Sequence, residues 1–368
     1  MNVSTSLETV SARLGQPLIN DQITNYIMVM VSFIVLTISL PATALNILNV
    51  YIFVNTTLDS VTVCFISLAL SDFSSMLLLS VHAIFSLISY FGASWGRSVP
   101  ALSYFVSFIF VLLMDLSSLT TAYIAVQRGL CVTFPFLTRH AFNKNRSMIV
   151  CVSISLIILA CSLPRFATFR LRTIPDPIDN TTTLIVFEYL ASWDSFDKFD
   201  LIFMKTALTF TEYGIMVICT VAISIGMRSS MKLKQKSKSY AHHTESGIDL
   251  KKSKEEEEKK DMNDNKRSEK EQTQKKDSKE SLVVKQSLIV VLIHVILTTP
   301  KIFVSLYKFY EPRFTLGGQF NNFFFVFYNS ANVISAINAF VNFFVYLRFN
   351  SKFKNYFFTK IYSREVET

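Results

Sequence analysis

Seven apolar stretches, each long enough to cross a bilayer, constrain this chain more than any other feature. They run over about 26–53, 61–90, 100–127, 147–167, 201–227, 284–307 and 320–347. Crossing ~30 Å of hydrocarbon takes roughly 20 mostly apolar residues in a helix, because lipid offers no partner to backbone N–H and C=O groups. A soluble domain would scatter its charge along the chain; here the charged residues gather outside the runs. The expected fold is an all-α membrane protein, a seven-transmembrane helix bundle. No basic segment, short apolar core and small-residue cleavage site precedes the first run, so no signal peptide is expected before it.

Lys and Arg set the orientation. The N-terminus and the loops after helices two, four and six hold Arg13, Arg97, Arg165, Arg170, Arg172, Lys198, Lys308 and Arg313 against nine acids, a near balance. The opposite side holds Arg139, Lys144, Arg146, Lys352, Lys354, Lys360, Arg364 and a long basic loop, although its first loop, "VNTTLDS", lacks basic residues. This predicts residues 1–25 as an extracellular N-terminus, 26–227 as helices one to five, 228–282 as a cytoplasmic loop, 283–347 as helices six and seven, and 348–368 as an amphipathic eighth helix and tail. The chain is expected in the plasma membrane. Its net charge of +9 suits anionic inner-leaflet lipid and cytosolic partners rather than nucleic acid.

Residues 228–282 mix both charges with almost no apolar side chain and are expected to form a disordered tether. Ser237 and Ser239, in its basic start, are candidate kinase targets. In the tail, Phe349, Phe353, Phe357 and Ile361 recur every fourth residue, the pattern of a short helix lying in the inner interface. Asn2 and Asn180 open outer-side glycosylation sequons, whereas those at Asn55 and Asn145 fall inside. The five cysteines lie in or near helices, so no structural disulfide is expected.

Ionisable residues within the runs cost free energy in lipid and so point to function. They are Asp72, His82, Asp115, Arg128, Lys205, Glu212, His294 and Lys301. Lys205 is near an outer helix end, where its ammonium can snorkel to water. His82 and His294 share no metal-ligand spacing and read as hydrogen-bonded core residues; no metal site is expected.

Several motifs then fall in order: "LNILNV" with Asn46, "SLALSD" ending at Asp72, "QRGLCVTFP" with Arg128 and Pro135, Pro300 in helix six, and "NFFVY" with Asn342 and Tyr346, followed by Phe353. From Asn46 to Phe353, the long loop aside, the chain resembles a rhodopsin-like (class A) G-protein-coupled receptor. The resemblance implies an extracellular small-molecule or peptide ligand, a heterotrimeric G protein, and kinases and arrestin at the third cytoplasmic loop. It implies that Arg128 is held by a nearby acid at rest and released toward the G protein, with Tyr346 and Pro135 in the same coupling end. Gln127 replaces the family's preceding acid and Gly129 its usual aromatic. The matching helix-six acid is Glu280, so an Arg128–Glu280 lock is expected. At a water-exposed position such a pair is worth at most ~1 kcal/mol, which leaves room for basal activity; the alternative is that Glu280 merely ends the tether.

The resemblance also gathers Asn46, Asp72, Ser117, Asn338 and Asn342 around a hydrated centre that binds sodium in many relatives. The ion would be allosteric, no cofactor being required, and the alternative is a water-filled polar network. Ligand-binding candidates are Phe110, Asp115, Glu212, Thr298 and Lys301. The charged three form either a self-satisfied cluster or a reader of a charged ligand. Phe110 at the amine-binding position argues against monoamines, and Ala336 at the retinal-lysine position argues against light detection. Ser103 stands at the usual disulfide cysteine, Thr298 replaces the helix-six tryptophan, and the helix-five proline is missing. The outer loop 168–200 would then rely on packing and glycan. The nearest likeness is to molluscan chemosensory receptors, then to invertebrate neuropeptide receptors. A transporter or channel would predict internal repeats, glycine- or proline-broken helices at midmembrane and a ring of like charges; no repeat is found, and Pro41, Pro100, Pro135, Pro164 and Pro300 do not recur at matching positions in two halves. An intramembrane enzyme would need a nucleophile–base pair or metal cluster, and the five histidines form neither.

Overall fold

The computed structural model describes residues 20–91, 99–134, 138, 141–175, 183–190, 196, 198–245, 258–311, 313–314 and 318–362. Seven of its helices are long and apolar enough to cross a membrane. They are α1 (Asp21–Val54), α2 (Ser60–Phe91), α3 (Val99–Thr133), α4 (Lys144–Phe166), α5 (Thr209–Glu245), α6 (Glu258–Tyr310) and α7 (Asn321–Phe349). Helix α5 is preceded by wide π-helical turns over Asp200–Leu208, and a short α8 (Ser351–Tyr356) follows α7 and continues as π-helix over Phe357–Tyr362. The starts are set by side chains that accept orphan backbone N–H groups: Asn20 from Gln22, Asp59 from Thr62, Asn143 from Arg146 and Asn350 from Phe353. Hydroxyls within the helices, such as those of Ser32, Ser80, Thr121 and Ser335, donate to the carbonyl four residues back, which satisfies them without water.

Burial is reversed relative to a soluble protein. Ile218, Phe303 and Met30 are 70%, 66% and 65% exposed, while Asn46, Asn49, Asp72, Gln127, Asn338 and Asn342 are buried. Lipid-facing helices demand this arrangement: the outer surface matches the hydrocarbon, and polar groups turn to the bundle interior. Helices α1, α2 and α3 pack in sequence, α3 meets α5, α5 meets α6, and α6 meets α7, which closes on α1. Besides α2 and α5, α3 touches α4 and α6, so it forms the bundle's axis.

At the inner end, which is the end expected to face the cytosol, Phe53, Phe65, Tyr346 and Phe353 form one aromatic cluster that joins α1, α2, α7 and α8. Phe353 is fully buried, and Phe357 packs edge-on to Phe343, so the four-residue repeat of the tail does anchor a short helix. Lys352 on α8 also pairs with Asp59 at 3.0 Å.

Two expectations need correction. The outer loop is held by more than packing: β1 (Phe169–Pro175) and β2 (Thr183–Tyr189) form an antiparallel hairpin with Arg170 opposite Glu188. The ladder satisfies the backbone locally, and Phe169 seats it against Phe105, Phe108 and Phe166. In the third inner loop, helix continues to Glu245 and begins again at Glu258, where a tether without structure was expected. Its Glu and Lys residues are good helix formers, so the backbone of α5 and α6 continues beyond their apolar spans. Asn2, Pro135 and Asn180 lie outside the described residues, as does the side chain of Glu280, whose backbone is helical within α6.

Candidate functional site

A cavity of about 420 Å³ opens in the outer part of the bundle, between α2, α3, α6, α7 and the start of the π-helical segment. Its wall combines aromatic residues, among them Phe108, Phe110, Phe324 and Tyr328, with the charged groups Arg165, Asp200, Lys205, Lys301 and Lys308. Arg165 pairs with Asp200 and stacks over the Phe108 ring, 4.2 Å from its centroid. His82 sits at the rim, its Nδ1 2.9 Å from the Ser103 hydroxyl. That contact occupies the position from which the family's disulfide is missing; all five cysteines are free.

Beneath this wall, Asp115 on α3 is buried and accepts from two ammonium groups, Lys205 at 2.7 Å and Lys301 at 3.1 Å. Lys205 therefore does not snorkel to the surface: the carboxylate draws it inward, and the π-helical turns carry it at the cavity wall. Sequence offered one clue, since Lys205 and Glu212 are seven residues apart and nominally share a helical face. Glu212 is also buried, yet it forms no hydrogen bond or ion pair among the described residues. With Asp115, Thr298 and Lys301 it lines a separate compartment of about 10 Å³, room for about one water. Of the five ligand-binding candidates, Phe110 and Lys301 thus line the large cavity, whereas Asp115, Glu212 and Thr298 line the small one. Around Pro300, Thr298 donates to the His294 carbonyl and Thr299 to that of Val295 at 2.8 Å, which weakens the backbone ladder at the turn where proline already lacks its N–H.

The middle level centres on Asp72. Its Oδ1 accepts from Ser117 at 2.6 Å and its Oδ2 from Asn342 at 2.9 Å. The other two expected members bond elsewhere: Asn338 faces His294 at 3.1 Å, and Asn46 donates to the Ala42 and Ala339 carbonyls. Rotation of α1 and α7, invisible in the one-dimensional pattern, decides these pairings. The side-chain oxygens of Asn338 and Asn342 have no hydrogen-bond partner among the described residues.

At the inner end, Arg128 is half-buried near the end of α3. Thirteen residues separate it from Asp115, about 20 Å along the helix. Its neighbour Gln127 is committed to another task. The Gln127 amide donates to Ser60, Ser60 and Ser147 share a 2.5 Å hydrogen bond, and Tyr123 reaches Ser147 at 3.3 Å. A polar clasp thereby fastens α2, α3 and α4, a role the sequence reading missed. A Cβ on Gly129 would lie 3.5 Å from Cys219 and one on Gly226 within 2.2 Å of Val132, so α3 and α5 approach closely beside the arginine. Tyr346 is fully buried, its hydroxyl without a partner among the described residues.

A family model described as 7 transmembrane receptor (rhodopsin family) matches residues 45–346. No curated protein matches the chain.

Proposed function

Since the chain belongs to the rhodopsin family of seven-transmembrane receptors, signalling receptors coupled to G proteins and not enzymes, we propose that it binds an extracellular chemical ligand in the outer cavity and activates a heterotrimeric G protein beside Arg128. One observation carries the reading: a single helix, α3, borders the cavity at Phe110, touches Asp72 through Ser117, and carries Arg128 near its other end. A ligand that shifts α3 or the softened turn of α6 thereby changes the cytosolic face. The cavity's volume of about 420 Å³ and its partly aromatic wall favour a chemosensory role over recognition of a long neuropeptide. The receptor acts in the plasma membrane with its N-terminus outside, Asn2 and Asn180 glycosylated, and kinases and arrestin engaging the third inner loop.

Sodium is proposed as an allosteric ion at the middle level. Asp72, Ser117 and the unpartnered oxygens of Asn338 and Asn342 are hard donors suited to such a cation. When bound, the ion supplies the counter-charge that a carboxylate buried among helices needs. At the inner end, Glu280 is proposed to hold Arg128 at rest.

The test is nucleotide exchange on purified G protein by receptor in lipid nanodiscs, run beside ion flux in liposomes. Agonist-dependent exchange without flux is expected, with Arg128→Ala abolishing exchange while surface expression is kept, and Glu280→Ala raising basal exchange. Flux, or exchange indifferent to Arg128→Ala, would refute the reading.

A further inference from the structure

At the wall of the outer cavity, ammonium groups outnumber the carboxylates in direct contact with them. Two ammonium groups, Lys205 and Lys301, face one carboxylate, Asp115. Both lysines line the cavity while Asp115 lies behind them in the smaller compartment. Each ammonium spends one of its three N–H donors on Asp115 and retains two. Glu212, the nearest further acid on α5, makes no ion pair with either lysine among the described residues. The other close pair at the wall joins Arg165 with Asp200. The remaining wall mixes aromatic and aliphatic groups with His82, Asn329, Asn332 and three serines, and charge interactions within such a recess are stronger than at an exposed surface.

We infer that the cavity selects a ligand with a carboxylate, held between Lys205 and Lys301, and an apolar or aromatic body lying against Phe110 and Tyr328. This rests on the reading that the cavity is the agonist site. Its volume of about 420 Å³ suits a small molecule or the last residues of a peptide rather than a folded protein. A free small acid and a peptide C-terminus offer the same carboxylate, whereas a monoamine or an amidated peptide brings no charge to answer the lysines.

The experiment measures thermal stability of the purified full-length receptor in nanodiscs with matched probes. 3-Phenylpropanoate is set against 3-phenylpropanamide and phenethylamine, and the peptide Gly-Gly-Gly-Phe as free acid is set against its C-terminal amide. An acid is expected to raise the melting temperature where its amide does not; the small acid alone would assign a free organic acid, the peptide acid alone a peptide terminus. Lys301→Gln and Lys205→Gln should each weaken the acid's half-saturation about 10- to 100-fold, as for loss of a hydrogen bond to a charged group. Because either variant could simply fold poorly, Asp115→Asn gives an independent readout. It removes the internal counter-ion, so it should lower the ligand-free melting temperature and enlarge the shift produced by the acid. Acids that shift no more than their amides, including no shift at all, overturn the inference, as does an Asp115→Asn receptor that is destabilised without gaining response to acid. A stabilising acid that elicits no nucleotide exchange leaves the carboxylate preference standing and sinks the agonist-site reading; exchange driven through the cavity by a neutral ligand does the reverse.

Discussion

Around Phe110 and Tyr328 the helices leave about 420 Å³ unfilled, whereas around Phe53 and Tyr346 aromatic rings pack with centroids 5.0 Å apart. Both regions are rich in aromatics, so composition does not separate them. The outer rings line a void and share it with lysines; the inner rings face each other, and Phe53, Phe65 and Phe353 bury nearly all their surface. A recognition end has to leave room for its ligand and so forgoes packing energy. A coupling end must move as a unit, and close packing transmits displacement because a filled interior has few intermediate arrangements.

The contrast is broken most forcefully by Phe53→Ala. Truncation in the filled end should cost about 3–5 kcal/mol, whereas Phe324→Ala, whose ring already borders the cavity, should cost less than half as much. Melting temperatures of the two ligand-free variants decide it, and equal losses would mean that the two ends are equally packed. Next comes Gly226→Ala, which places a methyl 2.2 Å from the Val132 Cγ1. Forcing α3 and α5 apart should cost about 1–3 kcal/mol, and adding Val132→Ala should restore most of it. Asp59→Ala removes the cap of α2 and the partner of Lys352 together; a loss of about 1 kcal/mol is expected, most of it from the cap. The smallest effect lies at the outer rim. The Arg313 hydrogen bonds hold the Glu311 carboxyl down at about 2. A depressed acid contributes stability above its ordinary value of 4.5 and loses it only as the pH falls toward about 2. Glu311→Gln should therefore leave ligand response unchanged in shape between pH 5 and 8, measured as exchange at each pH.

The seven spans and the amphipathic tail were legible because the cost of placing backbone and charge in lipid is local and additive along the chain. Asp72, Ser117 and Asn342 were found together for a similar reason, each having a fixed place in a motif. What could not be read was which polar group faces which across helices. Lys205 pairs with Asp115, 90 positions away, and Asn338 turns to His294. Such choices depend on helix rotation, and wide turns such as those at Asp200–Leu208 alter that rotation without a sequence signature. The clasp around Gln127 escaped notice because serine is unremarkable in a membrane helix until two of them meet.

The bond between Ser103 and His82 has a practical corollary. The outer end of α3 is tied to α2 by a hydrogen bond between oxygen and nitrogen, not by sulfur, and the five cysteines form no disulfide. Maturation thus asks nothing of an oxidising compartment or a disulfide isomerase. Synthesis straight into nanodiscs from a reducing cell-free extract should yield folded receptor, and dithiothreitol should leave its melting curve where it was.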